Sequence, residues 1–161
     1  MSKTGKKRQY IYLAGNISED SRTYEWRAKF TELVAEMNVV VLDPCKNIFN
    51  QKLRRFKRGD NFLSAAIERS QQILRPKDYQ LIRISSVVVG NLGLVSPDKP
   101  MIGTVQEYTW AHDIFYIPII SITMGETNIY TQHPWMVECS SAMVDTVEEA
   151  VEILETFFVD Y

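Results

Sequence analysis

The chain has few cysteines, few histidines and no long apolar run. Its 161 residues include two cysteines, Cys45 and Cys139, and two histidines, His112 and His133. The cysteines have neither a metal-site spacing nor an evident disulfide framework, so we expect reduced thiols and a cytoplasmic protein. Two histidines so far apart do not suggest zinc. We therefore predict no metal site and no cofactor.

The small net charge excludes other classes of partner. The formal charge is −2, whereas general nucleic-acid binders are usually strongly basic, so a nucleic-acid partner is not expected. No stretch approaches the roughly 18 apolar residues of a membrane span, and the apolar run Tyr10–Ala14 is too short for a signal peptide. The basic run Lys52–Arg58 is typical of a solvated face, with a phosphate contact as the alternative.

Strand and helix patterns alternate along the chain, and we predict one domain over residues 1–161. Apolar, β-branched runs predict five strands: Tyr10–Gly15, Val39–Leu42, Ser86–Leu92, Ile117–Thr123 and Ala142–Val144. Helical periodicity predicts helices at Ser21–Met37, Asn61–Leu74 and Lys77–Ile84, another that contains Glu107, and a last one that begins at Thr146. Lys46–Asp60 is predicted to be a loop. This alternation predicts an α/β fold with a parallel sheet and helices on both faces.

Local signals refine three of these helices. On the first helix, one apolar face is predicted: Trp26, Phe30, Leu33 and Met37. Pro76 is predicted to separate the second helix from the third, because proline disrupts a helix interior. The sequence Thr-Val-Glu-Glu from Thr146 to Glu149 predicts a capping box for the last helix. Pro118 is expected near the start of the fourth strand.

Polar and glycine-bearing loops follow the predicted strands. Gly15 and Asn16 follow the first strand, Asn91 ends the third, and Gly103 precedes Glu107. Ligands of open parallel sheets bind outside the carboxyl ends of the strands. We therefore expect these loops to meet at one site.

Glu107 is the residue whose sequence setting most favours a catalytic role. Gly103 and Thr104 precede it, and we expect Gly103 to admit a ligand close to the backbone and Thr104 to cap a helix. Glu107 would then lie in the first helical turn, where the helix dipole stabilises an anion. An ionised, positioned carboxylate can serve as a nucleophile. The alternative is an ordinary first-turn glutamate.

Several short motifs, in order and spacing, resemble the nucleoside 2-deoxyribosyltransferase family from about Tyr10 to Val151. They are Tyr12–Gly15, Leu42–Pro44, Arg75–Asp78, Val87–Leu92, Ile102–Glu107 and His133–Pro134. The resemblance implies a flavodoxin-like (Rossmann-like) three-layer sandwich with a five-stranded parallel sheet. It also implies cleavage of an N-glycosidic bond and homo-oligomers in which one subunit completes its neighbour's site.

The resemblance assigns roles to three side chains. Glu107 matches the family's nucleophile, which attacks C1′ of a 2-deoxyribosyl group and forms a covalent sugar ester. Tyr12 matches the tyrosine whose hydroxyl holds the nucleophile; a core aromatic is the alternative. Asp78 matches the carboxyl group that contacts the base and helps to protonate it, with a helix N-cap after Pro76 as the alternative.

The predicted substrate-binding residues come partly from the strand ends and partly from the resemblance. They are Gly15, Asn16, Ile17, Asn91, Met101, Gly103, Thr104, His133, Trp135 and Met136. Met101 and Ser86 are among the positions that depart from the family pattern. Met101 stands where many members have Asp or Ser, and Ser86 stands where an Asp is usual at the start of the third strand.

Three functions follow from these features. The first is transfer or cleavage at the N-glycosidic bond of 2′-deoxynucleosides, with a deoxynucleoside or deoxynucleotide and a free base as small-molecule partners. The second is hydrolysis of nucleoside 5′-monophosphates, and the third is a non-catalytic nucleotide-binding module, which Met101 and Ser86 would favour. Arg22 could meet a phosphate at a helix N-terminus, but Glu19 and Asp20 lie in the same loop and would repel it. We therefore favour unphosphorylated substrates.

Overall fold

The structure, a computed structural model, describes residues 8–18, 20–46, 73–97 and 99–159. Five parallel strands form one sheet in the order β2-β1-β3-β4-β5. The strands are β1 (Gln9–Gly15), β2 (Val39–Leu42), β3 (Val87–Asn91), β4 (Ile119–Ile122) and β5 (Ala142–Val144). This is the flavodoxin-like order. The predicted α/β fold and five-stranded parallel sheet are confirmed.

Helices connect the strands. They are α1 (Arg22–Leu33), α2 (residues 73–83), α3 (Ile102–Thr109), α4 (Ile129–Gln132), α5 (Pro134–Cys139) and α6 (Val147–Leu154). A 3-10 turn follows β2 at Pro44–Lys46, and π-helical turns extend α3 over Trp110–Ile114 and α6 over Glu155–Val159.

The sheet separates two apolar cores, which makes three layers. In the first core, Leu13 of β1 packs with Phe30 of α1 and Ala150 of α6. In the second, Tyr12 of β1 packs with Ile82 of α2 and Tyr108 of α3. Successive strand residues point to opposite faces, so Tyr12 and Leu13 enter different cores. The β3 strand is buried throughout, as expected when helices cover both faces of a sheet.

The apolar face of the first helix differs from the prediction. The helix ends at Leu33 rather than Met37, and Leu33 is 41% exposed while Val34 is 2% exposed. Trp26, Phe30 and Val34 are spaced four residues apart, so they share the buried side and Val34 occupies the place predicted for Leu33. Met37, beyond the helix, still packs against this core.

The predicted break at Pro76 is wrong. Residues 73–83 form one continuous stretch of helix that includes Pro76. A proline removes one hydrogen bond and crowds the carbonyl four residues before it, so both effects fall on the preceding turn and the turns that follow can still form. The predicted loop Lys46–Asp60 and helix Asn61–Leu74, except at their ends, lie outside the described residues, as does the basic run Lys52–Arg58.

The predicted capping box and the predicted position of Pro118 are confirmed. Glu149 donates its backbone N–H to Thr146 Oγ1 at 3.2 Å, and Thr146 donates its N–H to Glu149 Oε2 at 3.1 Å, which completes the capping box. Pro118 lies immediately before β4. Cys45 and Cys139 are both free thiols. Within the described residues, no helix has both the length and the apolar character that a membrane crossing requires.

Candidate active site

The site lies at the carboxyl ends of β1 and β3. These strands are neighbours, and Gly15 at the end of β1 is in register with Asn91 at the end of β3. β2 follows β1 on one side of this pair, whereas β4 lies on the other side, so the strand order reverses here. Such a reversal opens a crevice in which doubly wound folds bind ligands.

A cavity of about 490 Å³ opens beside this crevice, between α2 and α3. Its volume falls in the range of small-molecule sites. The lining residues are Leu74, Arg75, Asp78, Ile102, Gly103, Gln106, Glu107 and Trp110. Two of the three residues predicted to be catalytic, Glu107 on α3 and Asp78 on α2, therefore both line this cavity.

Tyr12, the third predicted catalytic residue, contacts Glu107 but does not itself line the cavity. Tyr12 is fully buried in β1, and its hydroxyl donates a hydrogen bond to Glu107 Oε1 at 2.7 Å. Burial, followed by the negative charges of Glu107 and Asp78, raises the pKa of Tyr12 well above its ordinary value. The hydroxyl therefore stays protonated and remains a donor to the carboxylate.

The environment of Glu107 differs from the sequence expectation. Helix α3 begins at Ile102, so Glu107 lies in the second turn and not the first. Burial raises its pKa to about 8; the Tyr12 hydrogen bond lowers it and the charge of Asp78 raises it. Desolvation therefore outweighs the helix dipole, whose influence is confined to the first turn.

The expected capping role of Thr104 is also wrong. Met101 occupies the N-cap position without a side-chain cap, and Thr104 is buried inside the first turn. Packing of the Thr104 side chain has outweighed its preference for the N-cap. Gly103 is exposed on the cavity wall, and a Cβ at this position would meet no atom within 4 Å. A ligand can therefore approach the backbone here, as expected.

Asp78 lies inside α2, so its alternative role as a helix N-cap is wrong. Burial raises the pKa of this carboxyl group to about 6, and the charge of Lys77 lowers it. Asp78 Oδ1 is buried and has no hydrogen-bond partner among the described residues; the Lys77 amine is 3.9 Å away. A buried acceptor without a donor is costly, so a ligand that supplies an N–H group would relieve it.

Trp110 is the aromatic residue of the cavity lining and belongs to an aromatic cluster that the sequence patterns did not indicate as part of a site. Trp110 lines the cavity and meets Tyr79 edge-on, with 5.3 Å between ring centroids. Tyr79 in turn contacts Phe115 edge-on, and the Arg75 guanidinium lies 5.5 Å from the Trp110 ring centre. The available signal was the position of Trp110 three residues after Glu107, because that spacing places both on one helix face.

The residues at the ends of β1 and β3 lie outside the cavity lining and shape the turns there. Gly15 has φ +150°, and a Cβ there would lie 3.3 Å from the Asn91 carbonyl oxygen, so a larger residue would be strained. Asn16 and Ile17 follow it and are half-buried. Asn91 Oδ1 accepts the N–H groups of Gly93 at 3.0 Å and Leu94 at 3.2 Å, so this oxygen shapes the turn after β3.

Gly103 is the one predicted binding residue that lines this cavity, and the other nine do not: Gly15, Asn16, Ile17, Asn91, Met101, Thr104, His133, Trp135 and Met136. Met101 is 2% exposed in the second core, and its N–H donates to the Tyr130 hydroxyl at 2.8 Å. His133 caps α5, Trp135 is 75% exposed on that helix, and Met136 is buried beneath it. Ser86 precedes β3 at the opposite edge of the sheet, so this departure from the family pattern lies away from the cavity.

This architecture is the fold of the 2-deoxyribosyltransferases. The chain is similar over 93% of its length to 99% of a 2-deoxyribosyltransferase from Leishmania mexicana, with a TM-score of 0.64 and 15% identity. It is similar over 88% of its length to 89% of a 2-deoxyribosyltransferase from Bacillus psychrosaccharolyticus, with a TM-score of 0.60 and 15% identity. A CMP N-glycosidase from Clostridium botulinum is also similar in structure, over 91% of this chain and 99% of the glycosidase chain, with a TM-score of 0.53 and 14% identity.

No protein-family model matches the sequence, and neither does any curated protein. The structural similarities therefore rest on shape at low identity. They establish the fold that the sequence resemblance implied. Function has to be argued from the site itself.

Proposed function

We propose that the protein cleaves or transfers at the N-glycosidic bond of 2′-deoxynucleosides, with Glu107 as the nucleophile. The observation that carries this proposal is a cavity lined by Glu107 and Asp78, in which Tyr12 bonds the Glu107 carboxylate at 2.7 Å. Paired carboxyl groups are the usual means of cleaving glycosidic bonds. The shared fold with 2-deoxyribosyltransferases and a CMP N-glycosidase supports the same reaction class.

The reaction takes two steps. In the first, a Glu107 carboxylate oxygen bonds to C1′ while the bond from C1′ to the base nitrogen breaks. The electron pair leaves with the base, and Asp78 donates a proton to it. In the second, a nitrogen of another base, or water, bonds to C1′ and releases Glu107, while Asp78 takes the proton from the attacking group. Two displacements at C1′ retain its configuration.

The protonation states of Glu107 and Asp78 limit the rate in this scheme. The reactive form needs Glu107 ionised and Asp78 protonated, yet the pKa of Glu107 is about 8 and that of Asp78 about 6. The single shared proton therefore resides mainly on Glu107, and the reactive arrangement is a minor species of the singly protonated free enzyme. The Tyr12 hydrogen bond favours the reactive form because it stabilises the Glu107 carboxylate.

We expect a bell-shaped dependence of kcat/KM on pH, with limbs near 6 and 8. Below the lower limb both carboxyl groups are protonated and no nucleophile remains; above the upper limb both are ionised and no acid remains. Tyr12→Phe should lower the maximum and shift the upper limb to higher pH, because the carboxylate loses its donor. A rate that does not change between pH about 5 and 9 would contradict the assigned roles.

A second candidate is hydrolysis of nucleoside 5′-monophosphates. Arg75, on the cavity wall, is a cation that a phosphate could reach, and the fold is shared with a CMP N-glycosidase. Arg22, the phosphate contact considered from the sequence, is held instead by Asp20 Oδ2 at 2.6 Å. Asp20 therefore largely offsets the positive charge of Arg22 near the loop after β1, and this favours an unphosphorylated substrate.

We expect a 2′-deoxynucleoside to be cleaved more efficiently than its 5′-monophosphate. Base release from a panel of both, at low and moderate salt, measures this preference. A preference of about tenfold or more for the monophosphate, lost in Arg75→Ala or Arg22→Ala, would select the hydrolase instead. No turnover of any member, together with saturable binding, would select the non-catalytic module.

We also propose a homo-oligomer with composite sites, as the family resemblance implies. Trp135, Ile129 and Val137 expose large apolar surfaces on α4 and α5, and such surfaces often mark protein contacts. Light scattering at micromolar concentration should give at least twice the chain mass of 18.6 kDa. An active species of one chain mass would overturn this proposal.

A further inference from the structure

Arg27 is a buried cation beside the candidate site to which the proposed chemistry assigns no role. It lies on α1 and is 1% exposed, which is rare for an arginine. Its guanidinium pairs with Asp43 Oδ1 at 3.1 Å and lies 4.8 Å from the Trp26 ring centre. A buried ion pair is weak evidence for stability, because desolvation opposes its attraction.

The contacts of Arg27 lie at the edge of the sheet that carries the site. β2 pairs with β1 only as far as Tyr12 and Leu42, whereas β1 continues to Gly15. Beyond the last pair, Arg27 Nη1 donates to the Leu13 carbonyl at 3.0 Å and Nη2 to the Gly15 carbonyl at 3.2 Å. The guanidinium thus takes the place of the missing strand and ties the end of β1 to Asp43, directly after β2.

The charge of Arg27 also acts on Glu107. Among the described residues, Tyr12, Asp78 and Arg27 change the pKa of Glu107, and Arg27 is the cation among them; Cys45 and Tyr108 also lie within reach of the Glu107 charge. Cys45 lies close enough to be influenced by Arg27, Asp43 and Glu107 together. Because arginine does not lose its proton in proteins, its charge persists at every working pH.

We propose that Arg27 is a positioning residue for the N-glycosidic reaction, an inference that rests on the proposed role of Glu107. Its fork of donors sets the course of the chain from β1 into residues 15–17. Its charge favours the ionised, nucleophilic form of Glu107. Arg27 does not line the cavity, so it acts through the loop and through Glu107.

The charge effect can be measured without substrate. Asp43→Asn and the double variant Asp43→Asn/Arg27→Gln differ at Arg27 alone, and the second variant carries neither charge of the buried pair. Carbon NMR of labelled glutamate side chains follows the titration of Glu107, whose signal is identified by its absence from Glu107→Gln. The titration midpoint, which is the pH at which Glu107 is half-ionised, should be at least about half a pH unit higher in the double variant. Equal midpoints in the two variants would overturn the electrostatic role.

A surface ion pair of α1, between Lys29 and Glu148, supplies the matched control. Lys29 pairs with Glu148 on the exposed surface, so Glu148→Gln and Glu148→Gln/Lys29→Gln repeat the same comparison away from the site. These two variants should share one Glu107 midpoint. A shift as large as that of the Arg27 comparison would show an unspecific effect of charge and would also overturn the proposal.

The positioning effect is tested by Arg27→Lys, which keeps the charge and loses the fork. Backbone amides of Asn16 and Ile17 should exchange about tenfold faster with solvent, and KM should rise, while the Glu107 midpoint stays unchanged. Lys29→Arg should change none of these. If the amide exchange of Asn16 and Ile17 is unchanged in Arg27→Lys, the positioning role is overturned. This test does not depend on whether the double variant folds. Loss of turnover in Glu107→Gln is a separate measurement, so failure of the proposed function would be recognised independently.

Discussion

Replacing Glu107 by glutamine is expected to lower kcat/KM for base release by at least about a hundredfold, a conservative loss for a covalent nucleophile. The amide has the shape of the carboxyl group and its Oε1 can still accept the Tyr12 hydrogen bond. It cannot form the sugar ester, so the loss comes from chemistry rather than from substrate binding. Steady-state base release, together with a binding measurement, checks both parts.

Stability separates this effect from misfolding. The folded pKa of Glu107, about 8, lies above its ordinary value, so the buried carboxyl group favours folding less as pH rises from its ordinary pKa to about 8. Glu107→Gln should therefore melt no lower than the parent at mildly alkaline pH. Glu152→Gln on the exposed face of α6 is the matched control and should retain parental turnover. Parental turnover in Glu107→Gln would make Glu107 an ordinary helix residue.

Replacing Asp78 by asparagine should slow the release of poor leaving bases by about a hundredfold and change the release of good ones little. General-acid help matters most where the departing nitrogen needs a proton. A nucleoside of 7-methylguanine, whose base is already cationic, supplies the good leaving group. The comparison is a ratio within one variant, so a general loss of active protein cancels.

The structure supplies the reason for the size of that effect. Asp78 faces the cavity, and burial raises its pKa to about 6, so a protonated fraction is available at neutral pH. Asparagine is nearly the same size and cannot donate an acidic proton. An equal slowing for both bases, or a lower melting temperature with no selectivity, would count against an acid role for Asp78.

The sheet was the part of the fold that the sequence predicted best. Its β-branched runs are short, buried and bounded by turn residues, so each had one reasonable interpretation. Helix boundaries were less predictable because packing decides them. Leu33 and Val34 are both apolar, and Val34 is the one that shares the buried side of α1 with Trp26 and Phe30. Pro76 carries a strong local signal against a helix, yet the helix continues through it.

The candidate site was predicted in part. Motifs brought Tyr12 and Glu107 together as a pair, and the structure places them 2.7 Å apart. The charge state of Glu107 was not predictable, because desolvation depends on what packs around the carboxyl group, and a local helix rule does not contain that information. Trp110 and Arg75 were missed for a similar reason: the approach of α2 to α3 creates the cavity wall they form.

The burial of Arg27 could not be predicted from local sequence patterns. An arginine on an amphipathic helix is normally interpreted as a surface charge, and the preference of arginine for exposure supports that interpretation. Its burial follows from a long-range fact, namely that β2 stops pairing at Leu42 while β1 continues to Gly15. Unpaired strand carbonyls at that point require a donor, and Arg27 is in reach.

The most direct test of the proposed chemistry is mass spectrometry of the protein after incubation with a slow 2′-fluoro nucleoside. Fluorine at C2′ disfavours the oxocarbenium-like transition state, so the sugar ester should accumulate. We predict one fluorinated pentosyl group per chain, located on Glu107, lost when a free base is added and absent from Glu107→Gln. Release of base from the unmodified nucleoside, with no adduct or with an adduct on another residue, would contradict the covalent role of Glu107.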